Sequence, residues 1–374
     1  MKAQVKTSPL RELESLGQSV WVDFISRDAI DSGLVRKWIE EDGVTGMTSN
    51  PSIFEKAFAG KDYDEQIARL SREGKTAEQV YEALTVRDVR DAADLFRPVY
   101  DRTEGADGFV SLEVSPHLAD DTDETISQGR RLWKLLDRPN VFIKVPATKQ
   151  GLPAVAALIS EGINVNVTLL FGLHRYSEVA HAFLDGLKVR EKGGAPLYGV
   201  ASVVSFFLSR IDTLVDPLLA KASQTPGQAD IARRLVGQVA ILSAKVAYQT
   251  YQEIFGSERY LPLADKGARP QRLLWASTST KNPAYGDVKY VEALIGPETV
   301  NTLPVETLDA FADHGQAQSL LAVNTQEAAR LLHRIGDIGV DLKAATDQLE
   351  QEGVKKFEKA YDDAMAALAK KVKR

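Results

Sequence analysis

Cysteine is absent from this 374-residue chain. Its absence excludes disulfide bonds, thiol catalysis, and zinc or iron–sulfur sites built on thiolate ligands. A chain without disulfides suits a reducing compartment, so we expect a cytoplasmic protein.

Long apolar runs and an excess of positive charge are also lacking. The longest apolar stretch, around residues 197–208, is interrupted and too short to cross a bilayer, and residues 1–16 are charged without the apolar centre of a secretory signal. The chain has 46 Lys and Arg against 52 Asp and Glu, a net charge of −6. We therefore expect no membrane and no nucleic acid among its partners.

Eight segments have the apolar, β-branched composition of buried parallel strands. They cover residues 20–25, 44–49, 109–114, 141–145, 164–170, 199–207, 272–277 and 299–303. Charged amphipathic stretches separate them and predict helices, among them residues 77–95, 125–136, 173–187 and 228–254. This alternation predicts an α/β fold, the (βα)8 TIM barrel. A doubly wound open sheet is the alternative, but no glycine-rich phosphate turn follows the first strand.

Additional helices are expected at both ends of the barrel, within a single domain of residues 1–374. The N-terminal extension covers residues 1–19, where Ser8 would cap a helix that starts at Pro9. The C-terminal extension covers residues 315–374, with helices over 316–335 and from 342 onwards. We expect it to pack on the barrel.

One lysine interrupts the apolar segment 141–145. Strand alternation places Phe142 and Lys144 on one face and Ile143 and Val145 on the other, and both faces are apolar around it. Burial disfavours the charged form of an amine, which leaves a neutral nitrogen able to attack a carbonyl and form a Schiff base. A lysine at a strand end that extends to solvent is the alternative.

Further polar residues fall near the C-terminal ends of the predicted strands, on the barrel side. They are Asp23, Asn50, Glu113, Asn166, Thr168 and Ser205. Buried charges are costly unless they are paired or functional, so their convergence with Lys144 predicts an active site at this end of the barrel. A purely structural polar cluster is the alternative. Schiff-base chemistry needs a positioned acid or base, for which Asp23 is the candidate.

Several stretches of the chain resemble the transaldolase family, the class I Schiff-base enzymes. They are residues 21–23, 43–52, 111–116, 142–148, 162–171 and 301–304. The motifs Thr48-Ser49-Asn50-Pro51-Ser52, Ile143-Lys144-Val145-Pro146-Ala147-Thr148 and Asn166-Val167-Thr168-Leu169-Leu170-Phe171 are specific in combination. The resemblance implies a Schiff base on Lys144 in the non-oxidative pentose phosphate pathway. A dihydroxyacetone unit would pass from sedoheptulose 7-phosphate or fructose 6-phosphate to glyceraldehyde 3-phosphate or erythrose 4-phosphate.

The resemblance also implies roles for individual side chains. The residue matching Asp23 transfers protons in that family, and the residues matching Glu113 and Thr168 hold a catalytic water. Asn50, Asn166 and Ser205 match positions that hydrogen-bond the dihydroxyacetone hydroxyls. For Asn50, which precedes a proline, strand-end capping or turn chemistry is a competing interpretation.

The substrate phosphate would need cations, because the chain as a whole is acidic. Arg210 follows the sixth strand, where the family keeps a phosphate-binding arginine. An ion pair with Asp212 or Asp216 is the alternative. Ser277 matches the family's serine after the seventh strand. Lys281 can replace the family's arginine there only if the loop absorbs two extra residues, and lysine lacks the bidentate fork.

No metal and no organic cofactor are expected, because an iminium on lysine is itself the electron sink for carbon–carbon cleavage. The five histidines show no metal-ligand spacing with nearby carboxylates. The expected partners are small phosphorylated sugars. The sequence is compatible with a monomer and with a homodimer.

Two other functions remain open at this stage. A lyase resembling fructose 6-phosphate aldolase would use the same lysine and barrel. Phe207 favours transfer over release, because a tyrosine at this position could assist protonation of the enamine. A non-catalytic phosphosugar-binding barrel is the second alternative, which the coexistence of Lys144, Asp23 and Glu113 disfavours.

Overall fold

Eight parallel strands close into a barrel in which each strand pairs with its sequence neighbours and the first pairs with the last. The computed structural model describes residues 8–372, so residues 1–7 and 373–374 of the two expected extensions lie outside the described residues. The strands are β1 (Gln18–Asp23), β2 (Gly46–Thr48), β3 (Val110–Glu113), β4 (Val141–Pro146), β5 (Val165–Leu170), β6 (Ser202–Phe207), β7 (Arg272–Ala276) and β8 (Thr299–Leu303). The predicted (βα)8 barrel is confirmed, and closure between β1 and β8 excludes an open sheet.

Seventeen α-helices are formed by residues 8–372, most of them between consecutive strands. They are α1 (Pro9–Ser15), α2 (Arg27–Asp31), α3 (Leu34–Lys37), α4 (Pro51–Ala59), α5 (Asp64–Arg72), α6 (Ala77–Arg102), α7 (Thr122–Leu136), α8 (Gly151–Ser160), α9 (Leu173–Lys192), α10 (Ser209–Ala222), α11 (Ala229–Leu235), α12 (Val239–Phe255), α13 (Leu261–Ala264), α14 (Lys289–Ala293), α15 (Val305–His314), α16 (Thr325–His333) and α17 (Leu342–Val372). A π-helical turn, Trp38–Asp42, continues α3.

Four local expectations were wrong. The predicted helix 228–254 is two helices, because Gly237 has a φ of 67° and its N–H donates to Asp216 Oδ1 at 2.7 Å. The helix predicted from residue 316 begins only at Thr325, since the N–H groups of residues 320 and 321 donate to the Ile295 carbonyl instead. Ser8 makes no side-chain capping bond to α1. The expected N-terminal extension is also shorter, because β1 begins at Gln18.

Aromatic side chains fill the part of the barrel below the polar residues. The rings of Phe109 and Phe142 stack with centroids 4.3 Å apart, and the Trp21 ring lies 6.0 Å from Phe142. Trp21 Nε1 donates to Asp107 Oδ1 at 2.7 Å, so this buried indole is paired. A filled lower barrel leaves only the C-terminal ends of the strands open for a site.

Strand β5 is irregular where it reaches that end. Its register with β6 shifts between Val167 and Leu170, and Leu169 has a φ of 59°. A non-glycine residue in this region costs about 1–3 kcal/mol, so neighbouring structure must hold it. Helix α17 packs close to this bulge, since a Cβ on its Gly353 would lie 3.2 Å from Leu169 Cδ2. The C-terminal helix therefore supports the strand that carries Thr168.

Among residues 8–372, every helix is too short or too polar to cross a lipid bilayer.

A substitution at Gly46 tests the packing of the aromatic cluster formed by Trp21, Phe109 and Phe142. A Cβ at this position would lie 2.5 Å from the Trp21 ring. We expect Gly46→Ala to lower the free energy of unfolding by about 1–3 kcal/mol, the usual cost of overpacking a core. Equilibrium denaturation measures the effect. Gly286→Ala is the matched control, because its Cβ would meet no heavy atom within 4 Å. Equal stability of the two variants would contradict this account.

Candidate active site

The C-terminal end of the barrel opens into a cavity of about 710 Å³. Nine of the eleven predicted site residues line it: Asp23, Asn50, Lys144, Thr168, Ser205, Phe207, Arg210, Ser277 and Lys281. The other two lie one contact away. Glu113 approaches Lys144 and borders an adjoining cavity of about 350 Å³, and Asn166 accepts a hydrogen bond from Ser205. The barrel thus brings together residues that are far apart in sequence.

Lys144 is buried on β4 and its amine faces the cavity. Its Nζ donates to the Ser49 carbonyl at 3.0 Å and lies 3.7 Å from Glu113 Oε2. Only 5% of the side chain is exposed, so the alternative of a lysine extending into solvent is excluded. The strand register explains the contact, because Glu113 of β3 is the direct partner of Lys144.

Glu113 is a buried carboxyl group with free hydrogen-bonding capacity. Neither of its oxygens has a hydrogen-bond partner among residues 8–372, and the same holds for Thr168 Oγ1. Burial raises the pKa of Glu113 to about 7, and the nearby Asp23 adds to the rise, whereas Lys144 opposes it. Unpaired buried polar groups are costly in a finished core, and here they indicate a place for water or a substrate hydroxyl.

Asp23 ends β1 and is held by two side chains from the β2 end. Thr48 Oγ1 donates to Asp23 Oδ1 at 2.8 Å, and Asn50 Nδ2 lies 3.4 Å from the same oxygen. Burial raises the pKa of Asp23, while the charge of Lys144 and these hydrogen bonds lower it. A carboxyl group whose pKa is raised in this way accepts a proton more readily than an exposed one.

The Asn50 side chain makes contacts in two directions. Its Oδ1 accepts the Ile53 N–H at 3.2 Å and caps α4, which begins at Pro51. Its Nδ2 is directed at Asp23. The local capping considered from the sequence is therefore present, as the cap of a helix and not of a strand end, and it fixes the side chain beside Asp23.

A chain of hydrogen bonds joins three inward-facing side chains at mid-barrel. Ser205 Oγ donates to Asn166 Oδ1 at 2.8 Å, and Asn166 Nδ2 donates to Ser111 Oγ at 3.2 Å. Each residue comes from a different strand, and all three are buried. The chain fixes the orientation of the Asn166 amide and presents the Ser205 hydroxyl to the cavity.

Arg210 is half-buried at the start of α10 and lies over the Phe207 ring at 5.4 Å. Burial lowers the pKa of Arg210, and the negative charge of Asp23 opposes this shift. Within residues 8–372 no ion pair involves Arg210. Asp212 instead accepts from the Ala240 N–H and Tyr290, and Asp216 accepts from the Gly237 N–H and Tyr285. The surface ion pair considered from the sequence is therefore excluded.

The loop after β7 brings Ser277 and Lys281 to the cavity. Ser277 takes a φ of 55°, and its hydroxyl lies 2.8 Å from that of Ser209. Lys281 donates to Ser279 Oγ at 2.7 Å and lines the cavity. Farther along, Tyr285 donates to Asp216 at 2.5 Å and ties the loop to α10. Lys281 thus reaches the same end of the cavity as Arg210.

Sequence reasoning missed several cavity residues from more distant elements. They are Trp38, Lys56, Glu306, Lys356 and Phe357. Lys356 and Phe357 belong to the C-terminal helix, whose position over the barrel cannot be read from its own periodicity. One signal in the sequence was available for this helix. Gly353 and Phe357 are four residues apart in a charged helix and so lie on one face, which indicates close packing of that face.

No group of three or more His, Asp or Glu side chains suited to holding a metal ion occurs within the described part of the chain, residues 8–372.

Comparison with known proteins gives a consistent result. Residues 20–368 match the family described as "Transaldolase/Fructose-6-phosphate aldolase". A transaldolase from Thiobacillus denitrificans is 48% identical over 96% of this chain and 99% of its own. Transaldolases from Trichodesmium erythraeum and Mycobacterium tuberculosis are 46% and 45% identical, covering 98% and 95% of both chains respectively. The chain belongs to the transaldolase/fructose-6-phosphate aldolase family.

Proposed function

We propose that the protein is a transaldolase, a transferase of the non-oxidative pentose phosphate pathway. It moves a dihydroxyacetone unit from sedoheptulose 7-phosphate or fructose 6-phosphate to glyceraldehyde 3-phosphate or erythrose 4-phosphate. The observation that carries this proposal is the buried Lys144 amine, 3.7 Å from Glu113, at a cavity that Arg210 and Lys281 also line. Relatives of nearly equal length that are named transaldolase support it.

Lys144 acts as the nucleophile. Its amine attacks the ketone carbonyl of the donor, and loss of water from the carbinolamine gives an iminium ion. The iminium accepts the electron pair released when the bond between C3 and C4 breaks, so the aldose phosphate leaves and an enamine remains on Lys144. The enamine then attacks the aldehyde carbon of the acceptor, and hydrolysis frees the new ketose phosphate.

Asp23 is the general base that removes the proton from the C4 hydroxyl, which becomes the carbonyl of the departing aldehyde. Its raised pKa makes it a better proton acceptor than an exposed carboxylate. Asn50 holds it from one side and can also bind a donor hydroxyl.

Glu113 and Thr168 hold the water that carries protons to and from the Lys144 nitrogen. Both present buried oxygens without partners among the described residues, and Glu113 adjoins the amine. Asn166 and Ser205 bind the hydroxyls of the dihydroxyacetone unit, with their mutual hydrogen bond fixing the donor and acceptor directions.

The substrate phosphate binds at the opposite end of the cavity, to Arg210, Ser277 and Lys281. Arg210 supplies a planar fork, and Lys281 supplies a point charge in place of the family's second arginine. Phe207 supports the Arg210 guanidinium from below and adds no hydroxyl that could protonate the enamine. Transfer is therefore favoured over release, which disfavours an aldolase-like lyase.

We infer further that the chain functions as one barrel domain with α1, α16 and α17 packed on it, in the cytoplasm. The absence of cysteine supports a reducing compartment. A purely binding barrel is disfavoured, because binding alone gains nothing from a buried amine beside two carboxyl groups.

Reductive trapping tests the nucleophile. Borohydride added with fructose 6-phosphate is expected to increase the intact mass of the protein, with peptide mapping placing the adduct on Lys144. Lys144→Ala is expected to abolish both the adduct and turnover while retaining phosphosugar binding. Lys149→Ala, an exposed lysine after the same strand, is the matched control and keeps both. Attachment to another lysine would overturn the assignment.

Asp23→Asn tests the general base. The amide preserves shape but cannot accept a proton, so we expect carbon–carbon cleavage to slow by about two to four orders of magnitude with little change in donor binding. Single-turnover cleavage and equilibrium binding of fructose 6-phosphate separate the two quantities. Equal losses in both would assign Asp23 to binding instead.

The raised pKa of Glu113 predicts that catalysis depends on pH. Its pKa is raised to about 7 by burial, so the proton-accepting carboxylate is lost as the pH falls through about 7. We expect kcat/KM for the donor to decline over that range and the decline to disappear in the less active Glu113→Gln variant. Glu253→Gln, an exposed substitution on α12, keeps the wild-type profile. If kcat/KM of Glu113→Gln still declined as the pH falls through about 7, the decline would belong to another group.

A further inference from the structure

The C-terminal helix α17 is fixed over the mouth of the cavity. Gly353 lets it pack within contact of Leu169 and Phe171, and Phe357, one turn later, is buried. Glu350 adds an ion pair with Arg175 of α9 at 3.1 Å, with both side chains mostly buried. These contacts hold the stretch between residues 350 and 357 in a defined position.

Lys356 lies within this stretch and lines the active-site cavity together with Arg210 and Lys281. Three other lysines of the helix pair with carboxylates: Lys343 with Asp347, Lys359 with Asp363 and Lys371 with Asp64. Lys355 and Lys370, like Lys356, have no such partner among the described residues, but of these three only Lys356 lines the cavity. Among residues 8–372 no carboxylate pairs with Lys356 or with Lys281. The helix therefore brings an uncompensated positive charge to the cation end of the cavity.

The three cations are close enough to affect one another. The positive charge of Arg210 is the largest cause of a lowered pKa at Lys356, followed by burial and by the charge of Lys281. Like charges held together without an anion destabilise the free protein, and an anion bound between them removes that cost. A phosphate group, with close to two negative charges, matches this site.

The chemistry of Lys281 gives a second reason for a third cation in the phosphate site. Lys281 offers a single point charge where relatives in the resembling family carry a second guanidinium, so two-point contact with the phosphate is lost on that side. An ammonium group from α17 supplies the missing contact from above the barrel.

We propose that Lys356 binds the substrate phosphate together with Arg210 and Lys281, so that the C-terminal helix is part of the phosphate site and selects phosphorylated ketoses. This inference rests on the proposed function and extends it to a residue outside the barrel strands and loops.

Lys356→Gln tests the inference, with Lys355→Gln as the matched control, since Lys355 is exposed like Lys356 and adjoins it on the same helix but does not line the cavity. We expect Lys356→Gln to raise KM for fructose 6-phosphate by about fivefold or more, with kcat nearly unchanged. Lys356→Arg should restore KM. Borohydride trapping with unphosphorylated dihydroxyacetone should give the wild-type yield in every variant.

Calorimetric titration with inorganic phosphate gives a second readout that does not need turnover. We expect weaker phosphate binding in Lys356→Gln than in Lys355→Gln. An unchanged KM together with unchanged phosphate affinity would overturn the role of Lys356, and so would an equal loss of dihydroxyacetone trapping. Failure of the wild-type protein to form any borohydride adduct would instead reject the proposed function, while the phosphate titration would still decide the role of Lys356.

Discussion

The placement of the Lys144 amine inside the barrel, beside the Glu113 carboxyl group, is the constraint on which the rest of the site depends. An ionisable group removed from water is costly, and this cost is offset only if other groups interact with it. Here the Ser49 carbonyl, just after β2, and Glu113 of the neighbouring strand β3 do so. A one-residue slip of β3 against β4 would point Glu113 at the helices, so the chemistry requires the observed register.

Much of this arrangement could be predicted from the sequence, because strand alternation is a local property. Polar residues at alternate positions of apolar strands assign a face to Lys144, Glu113, Asn166 and Ser205 before any tertiary contact is known. The eight strands followed from the same kind of local pattern, and the family resemblance supplied the expected role of each side chain. The closed pairing in the structure then explains why these faces converge.

Other features could not be predicted, because they depend on partners far away in sequence. The break at Gly237 is stabilised by Asp216 of α10, and the non-helical segment before Thr325 is stabilised by the Ile295 carbonyl. Both segments have helix-compatible compositions, so local propensity alone favours continuous helices. The same limit applies to Lys356, since the face that α17 turns to the cavity is decided by contacts with distant elements, chiefly α4.

Charges of both signs line the cavity in which we propose that the substrate binds. Asp23 and Glu306 carry negative charges, and Arg210, Lys281 and Lys356 carry positive ones. The three cations influence one another, and the charge of Asp23 also acts on Arg210. Under the proposed function a phosphate dianion is attracted by the cations and repelled by Asp23, so a phosphate bound by the cations leaves the ketone for Lys144. In a protein of net charge −6, this local group of cations attracts an anionic sugar that the overall field would repel.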